Sequence, residues 1–269
     1  MNYKPTYYIR DSRDLTDCVD DNSINLVITS PPYFNVKDYS DKPTVDLGNI
    51  NHYMHWKIEM KKVWKEVYRV LQPGRRFFLN ITNISVKEGN TFKTLNLVGD
   101  SINMCSDVGF VFKKDIIWQK TNGMKAPFGS YPYPGGILVN HMHEYILEFV
   151  KPIEKKEDKL LYRHITDEVK EESKLTKAFW LSLKNTDVWL MKPSPKKKDR
   201  KHVAPFPLEL PERLIKAYSF IDEKILDPFA GSGTTLVAAY KNKRIGIGCD
   251  INGEEYQNDL KDMIDSIQK

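Results

Sequence analysis

The sequence predicts an α/β fold: a mostly parallel central sheet with helices on both faces. Three observations carry that expectation. Short apolar runs of strand length alternate with helical 3/4 patterns along the chain, and no segment repeats at a period of about 20–50 residues, so a solenoid or propeller is excluded. Near the C-terminus a glycine-rich loop joins a strand to a helix, as the turns of such folds do.

The elements follow in order. Ile24-Asn25-Leu26-Val27-Ile28 reads as a buried strand. Tyr53, Trp56, Met60, Val63, Val67 and Val70 recur at 3/4 spacing with lysines between them, an amphipathic helix that Pro73-Gly74 ends. Phe77 to Ile81 is the next strand. Leu95, Val98, Ile102 and Cys105 mark a second helix, stopped by Gly109. Phe110 to Trp118 and Glu144 to Val150 read as further strands. Lys224 to Leu226 and Arg244 to Gly248 flank a helix that starts near Thr234, and Tyr256, Leu260, Met263 and Ile267 place a last helix at the C-terminus.

Two stretches break the rhythm. Residues 121–140 are rich in Gly, Pro and Tyr, and residues 151–201 are charged, so both read as loops or an irregular insert outside the sheet. A second small lobe over 121–190 is the expected division of the chain. Trp180 and Trp189 read as core, and Phe128, Tyr131 and Tyr133 as packing residues or wedges of a loop. In the run 192–201, six of ten residues are Lys or Arg. Lys196, Lys197, Lys198, Arg200 and Lys201 are the candidate phosphate contacts in it, against the plainer reading of a solvated loop.

Composition excludes several classes. Over 269 residues the apolar share is 41% and the charged share 29%, an ordinary globular mixture rather than a disordered chain. No apolar run approaches the roughly 20 residues of a membrane span, and the N-terminal residues form no secretory h-region. Cys18, Cys105 and Cys249 are scattered and odd in number, which argues for the reducing cytoplasm and against a disulfide scaffold or a cysteine-rich zinc site. The net charge of +5 mildly favours an anionic partner.

Asp227-Pro228-Phe229-Ala230-Gly231-Ser232-Gly233-Thr234 follows a strand and opens a helix. Such a turn brings backbone close to a ligand and aims helix N–H groups at an anionic end. Asp250 stands at the tip of the next strand, 17 residues past Gly233, where an acid accepts from ribose hydroxyls. Together they suit a nucleoside. Leu236 holds the third position of a dinucleotide fingerprint, and no Gly-Lys-Ser/Thr follows, so a dehydrogenase and a phosphate-cradling P-loop are both disfavoured.

Thr29-Ser30-Pro31-Pro32-Tyr33 follows the strand at 24–28. Two prolines remove two N–H donors and force a turn, which at the carboxyl edge of a sheet projects Ser30 and Tyr33 into the ligand crevice. Ser30 is a small acceptor, the Pro31 carbonyl is free of any ladder, and Tyr33 offers a flat face. A planar base with an exocyclic amine suits that set. A Pro-Pro turn with a packed tyrosine is the structural alternative.

These two motifs resemble those of the S-adenosylmethionine-dependent DNA amino-methyltransferases. The order, tetrad first and cofactor loop last, resembles the circularly permuted beta group. Phe34–Tyr39, Leu71–Phe78, Asp115–Trp118, His143–Leu147, His202–Pro207 and Gly248–Asn252 also resemble family segments, with Arg75 at a more usual glycine position. The resemblance implies a Rossmann-like methyltransferase fold. Residues 1–120 would form the catalytic part of the core, 121–190 a small target-recognition insert, and 191–269 the cofactor-binding part.

The resemblance also distributes roles. Ser30, Pro31, Pro32 and Tyr33 form the catalytic tetrad. Thr29, Asp227, Pro228, Phe229, Ala230, Gly231, Ser232, Gly233 and Thr234 serve the methionine end of S-adenosylmethionine. Asp250 takes the ribose, Ile251 and Asp11 meet the adenine, and Phe206 and Pro207 wall the pocket. No metal is expected, because the sulfonium is already an activated donor. The partner is duplex DNA, whose target nucleotide must be flipped out at a cost of a few kcal/mol. A restriction endonuclease acting separately is the expected companion.

Serine at the first tetrad position favours cytosine N4, while adenine N6 is the alternative. An RNA base or a glutamine amide are substrates of related tetrads, and a nucleic-acid-binding module with a relic pocket is the non-enzyme reading. Cytosine C5 chemistry needs a cysteine nucleophile after proline, and a zinc deaminase needs a C-x-x-C; neither exists here.

Overall fold

The computed structural model describes residues 3–34, 46–122, 139–153, 165–194 and 206–268. Ten strands and seven α-helices are present among them. The strands are β1 (Thr6–Ile9), β2 (Ile24–Thr29), β3 (Leu71–Ile81), β4 (Ile84–Glu88), β5 (Thr91–Leu95), β6 (Val111–Lys120), β7 (His143–Val150), β8 (Val188–Met191), β9 (Lys224–Asp227) and β10 (Ile245–Asp250). The helices are α1 (Tyr53–Val70), α2 (Leu97–Val108), α3 (Asp167–Glu172), α4 (Lys177–Lys184), α5 (Glu209–Tyr218), α6 (Thr234–Lys241) and α7 (Gly253–Gln268).

Eight strands form one sheet in the order β1-β10-β9-β2-β3-β7-β6-β8. Among them only β7 runs antiparallel to its neighbours; every other pairing in this sheet is parallel. Strand β9 passes through α6 to β10 on one side. Strand β2 passes through α1 to β3 on the other. Between β9 and β2 the direction of winding reverses, and at their carboxyl ends a crevice opens.

Side chains alternate across the buried strands with period two. Phe77, Leu79, Ile81, Leu147 and Phe149 face a core shared with α1 and α2, through Trp56, Met60, Val63, Trp64, Val67 and Leu97. Phe78, Ile146 and Ile28 face the opposite core, with Leu210, Leu214 and Ile215 of α5 and Ala238 and Ala239 of α6. Leu236 and Val237 of α6 then pack on Leu260 and Ile264 of α7. The glycines of β10 let α6 lie close: a Cβ at Gly248 would stand 2.8 Å from both the Ala230 Cβ and a Leu236 methyl.

Helix α1 buries the 3/4 stripe read from the sequence and stops at Val70. The chain turns directly into β3, and Pro73-Gly74 lies inside that strand, where the register on β2 shifts between Ile24↔Leu71 and Leu26↔Arg76. Lys151, 8% exposed, caps the helix end by donating to the carbonyls of Tyr68 at 2.6 Å and Leu71 at 2.8 Å. Arg75 is buried and paired with the equally buried Glu223, which also accepts from the Phe220 amide at 2.8 Å. Helix α2 ends on Gly109 at φ 118°, as expected.

The expectation of a separate lobe over 121–190 is corrected by the sheet itself. Strand β7 lies between β3 and β6, and β8 closes the sheet edge on β6. Residues 151–201 are therefore not wholly outside the sheet: Trp189 and Met191 are 3% and 1% exposed. The signal is weak because β8 has four residues and presents Val188 and Leu190 outward, so only two of its side chains reach the core. Trp189 is core as expected. Trp180 is not: it is 48% exposed, with Lys184 Nζ 4.9 Å from its ring centroid. The hairpin β4–β5 and helices α3 and α4 have no counterpart in the sequence reading. Among the described residues no helix is long and apolar enough to cross a membrane.

Candidate active site

Asp227 ends β9 and is 2% exposed. Its carboxylate organises the loop that follows. Oδ1 accepts from Thr29 Oγ1 at 2.6 Å and from the Phe229 amide at 3.0 Å, and Oδ2 accepts from Thr235 Oγ1 at 2.6 Å. Burial pushes its pKa up to about 6; the three donated hydrogen bonds oppose that rise without cancelling it. The carboxylate therefore shapes the glycine loop from beneath rather than standing free in the crevice.

Above it the loop is tied down on every side. The Ala230 amide donates to the Cys249 carbonyl at 3.0 Å, Tyr7 Oη donates to the Gly231 carbonyl at 2.6 Å, and Ser12 Oγ donates to the Pro228 carbonyl. Gly231 and Gly233 adopt φ of 48° and 85°, the left-handed region that glycine enters without a Cβ penalty. Gly233 then caps α6. Asp250 Oδ2 accepts from the Gly231 amide at 3.0 Å and Oδ1 from the Asn252 amide at 2.9 Å. Burial raises the Asp250 pKa, and those two amides hold it down.

S-Adenosylmethionine fits this loop on two grounds. Ser232 is 1% exposed and its Oγ has no hydrogen-bond partner among the described residues, an orphan that a ligand polar group would satisfy. Asp250, at the tip of the strand beside the loop, keeps acceptor capacity beyond the two amides it already binds. Ile251 follows it directly in the chain.

The tetrad leaves β2 one step from the loop. Thr29 is the last residue of β2, bonded to Asp227, and Ser30 is the next residue out. Phe34 anchors the exit of the turn, edge-on to Tyr53 at 5.2 Å and to Trp56 at 6.4 Å. Ser30 and Tyr33 are both half-buried.

Beside the tetrad runs a polar row along the edge of the sheet. Asn80 of β3, 3% exposed, donates from Nδ2 to Glu144 Oε2 at 2.6 Å and lies 3.5 Å from Ser30 Oγ. Tyr33 Oη donates to the same Glu144 oxygen at 3.0 Å. Lys120 of β6 pairs with the other, Oε1, at 2.6 Å. Glu144 is therefore a buried carboxylate bonded to the loop after β2, to β3 and to β6.

The structure brings Thr29, Ser30, Pro31, Pro32 and Tyr33 to the same crevice as residues 227–234 and Asp250. Asp11 follows β1 at that edge, where the Arg10 amide meets the Asp250 carbonyl at 3.2 Å. Its carboxylate is engaged by Arg13, which also reaches Glu59 at 2.6 Å. Phe206 is 7% exposed within the core on the α5 side, and the Pro207 carbonyl accepts from the Leu210 amide at the start of α5. Core packing accounts for both. Lys196, Lys197, Lys198, Arg200, Lys201, Phe128, Tyr131 and Tyr133 lie outside the described residues. The sequence reading missed Tyr7 and Ser12, which hold the glycine loop, and the row of Asn80, Glu144 and Lys120. Glu144 carried one signal: a lone carboxylate opening an otherwise apolar strand.

Comparison with known proteins decides the family. The profile of the N6/N4 DNA methylase family matches residues 24–262. The chain belongs to that family. Among relatives, it is 32% identical over 275 residues to the type II methyltransferase M.MthZI of Methanothermobacter thermautotrophicus, covering 96% of this chain and 75% of that protein. Among solved structures, the DNA modification methylase TTHA0409 of Thermus thermophilus, complexed with S-adenosyl-L-methionine, superposes with a TM-score of 0.74 at 30% identity, covering 97% of this chain and 93% of that one. The cytosine-N4-specific PvuII DNA methyltransferase, at 20% identity, shares the fold with a TM-score of 0.68, covering 98% and 92%. The fold of this DNA methylase is thus the Rossmann-like one that the motifs implied.

Proposed function

We propose that this DNA methylase transfers a methyl group from S-adenosylmethionine to the exocyclic N4 of a cytosine flipped out of duplex DNA, in a restriction–modification system. The observation that carries the reading is the 2.6 Å bond from Thr29 to Asp227, which joins an amine-accepting tetrad to a nucleoside-type glycine loop at one crevice. Family membership supplies the reaction class, and Ser30 at the head of the tetrad supports cytosine over adenine.

The cofactor supplies a methyl group carried on a sulfonium, which leaves without further activation. Residues 227–234 would hold its methionine end, Asp250 its ribose, and Ile251 and Asp11 its adenine, with Phe206 and Pro207 as walls. The rest of the chemistry belongs to the tetrad. An aromatic amine is a poor nucleophile because its lone pair is conjugated with the ring. Ser30 Oγ and the Pro31 carbonyl accept the amine hydrogens and draw the nitrogen toward tetrahedral geometry, which localises the lone pair. Tyr33 stacks on the extruded base. Positioning of this kind carries much of the rate in a direct transfer.

Duplex DNA is the partner in this reading, in the cytoplasm where the DNA lies, with a restriction endonuclease acting separately. The segments within 121–190 that flank β7 read bases, and the lysines and arginine of 196–201 contact phosphates. Transfer of labelled methyl groups from S-adenosylmethionine to duplex DNA, compared with RNA of the same sequence, tests the reading. Label in DNA supports it; label in RNA alone overturns it.

A further inference from the structure

Glu144 is a costly residue for an apolar strand. It is 9% exposed, and its neighbours along β7 include Ile146, Leu147 and Phe149, all fully buried. A buried carboxylate persists only where several donors meet it. Here they come from three separate places: Tyr33 Oη at 3.0 Å, Asn80 Nδ2 at 2.6 Å and Lys120 Nζ at 2.6 Å.

Two of those donors belong to, or touch, the tetrad. Tyr33 is a tetrad residue, and Asn80 Nδ2 also lies 3.5 Å from Ser30 Oγ. A carboxylate only accepts, so Glu144 fixes which end of the Asn80 carboxamide faces it, and the nitrogen end is left shared with Ser30. Lys120, partly exposed beside the Trp118 ring, neutralises the charge from the far side of the carboxylate. The arrangement is a lateral row on one edge of the sheet: Ser30 after β2, Asn80 on β3, Glu144 on β7, Lys120 on β6. In register, Asn80 pairs with Ile146 and Trp118 with Glu144, so the row crosses neighbouring strands on one face.

We infer that Glu144 is a positioning residue for the methyl transfer: by holding Tyr33 and Asn80 with one carboxylate, it fixes the stacking ring and the amine acceptor in a single geometry. It acts through those two side chains and touches neither base nor cofactor. The inference rests on the reading of Ser30 and Tyr33 given above, and it adds a residue to which that reading assigns no part.

The test is single-turnover methylation of duplex DNA at saturating cofactor, with the cofactor titrated separately. Glu144→Ala should slow transfer by about tenfold or more, while the Kd for S-adenosylmethionine stays within about twofold. Glu144→Gln keeps an acceptor for Asn80 and a polar group for Tyr33, and should restore the rate to within about threefold of wild type. A background carrying Tyr33→Phe and Asn80→Ala removes both routes. There the added cost of Glu144→Ala should shrink to less than about threefold, because residues acting as a unit are not additive.

Equal cost in both backgrounds would overturn the inference, as would a rate loss matched by the loss of folded, cofactor-binding protein. If wild type and Glu144→Ala are equally fast while Ser30→Ala is slow, the inference fails and the functional reading stands. If wild type transfers no methyl group to DNA, the functional reading fails first.

Discussion

Thr29 and Asp227, 198 residues apart in the chain, share a hydrogen bond of 2.6 Å across the point where the sheet reverses its winding. One ends the strand that delivers the tetrad; the other ends the strand that delivers the glycine loop. Thr29→Val keeps the shape and removes the donor. Asp227 is buried, so the loss of the Thr29 hydroxyl should cost about 1–3 kcal/mol of stability and weaken cofactor binding together. Thermal unfolding and cofactor titration of the same sample check both.

Asp227 also makes a pH prediction with a definite sign. Its pKa in the folded chain is about 6, above the ordinary 3.8. The folded state therefore binds the proton more tightly, and the stability this contributes is full below about 4 and lost as pH rises through about 6. Asp227→Asn cannot titrate. Between those limits the stability difference should move in favour of the variant, by on the order of 3 kcal/mol. Denaturant unfolding of both proteins from acid to neutral pH measures it, and a constant difference would contradict the assignment.

Asp250→Ala removes an acceptor from the proposed ribose site and releases the Gly231 amide. Cofactor affinity should fall by an amount of order 1–3 kcal/mol. Gly233→Val should do worse, because a Cβ there would stand 2.7 Å from a Leu260 methyl at a φ that valine avoids. Isothermal titration with S-adenosylmethionine, on protein shown to be folded, decides both.

Much of this site was legible in the sequence because each motif is local. A Pro-Pro turn after an apolar run, and a Gly-x-Gly turn between strand and helix, announce strand ends without tertiary information. The row of Asn80, Glu144 and Lys120 is of another kind. Asn80 and Glu144 are 64 positions apart, and they meet only because the antiparallel β7 inserts between β3 and β6. Nothing local specifies that insertion. Strand β8 was hidden for the opposite reason: two buried residues in a charged stretch are too short a pattern. Arg75, an oddity at a glycine position, is explained by the buried Glu223 that it meets. Glu223→Ala should therefore cost about 3–5 kcal/mol, read as a lowered Tm, because it strands the guanidinium.

The basic run predicts a salt effect. If Lys196, Lys197, Lys198, Arg200 and Lys201 contact phosphates, neutralising them should weaken binding to every DNA sequence. The slope of log K against log salt should flatten by about 0.9 for each phosphate that no longer meets a cation. An unchanged slope would make the run a solvated loop.

Ser30 and Tyr33 should govern transfer more than cofactor binding. Ser30→Ala leaves the Pro31 carbonyl as the remaining amine acceptor and should slow transfer by about 10- to 100-fold, equivalent to the cost of a lost hydrogen bond in a buried site. Tyr33→Ala loses a stacking face worth about 1–3 kcal/mol, whereas Tyr33→Phe keeps it and should stay within about tenfold of wild type. The central claim is tested most directly by mass spectrometry of nucleosides from duplex DNA methylated by the purified protein. The account predicts N4-methylcytosine, formed far more slowly when Ser30 is replaced by alanine; N6-methyladenine as the sole product would contradict it.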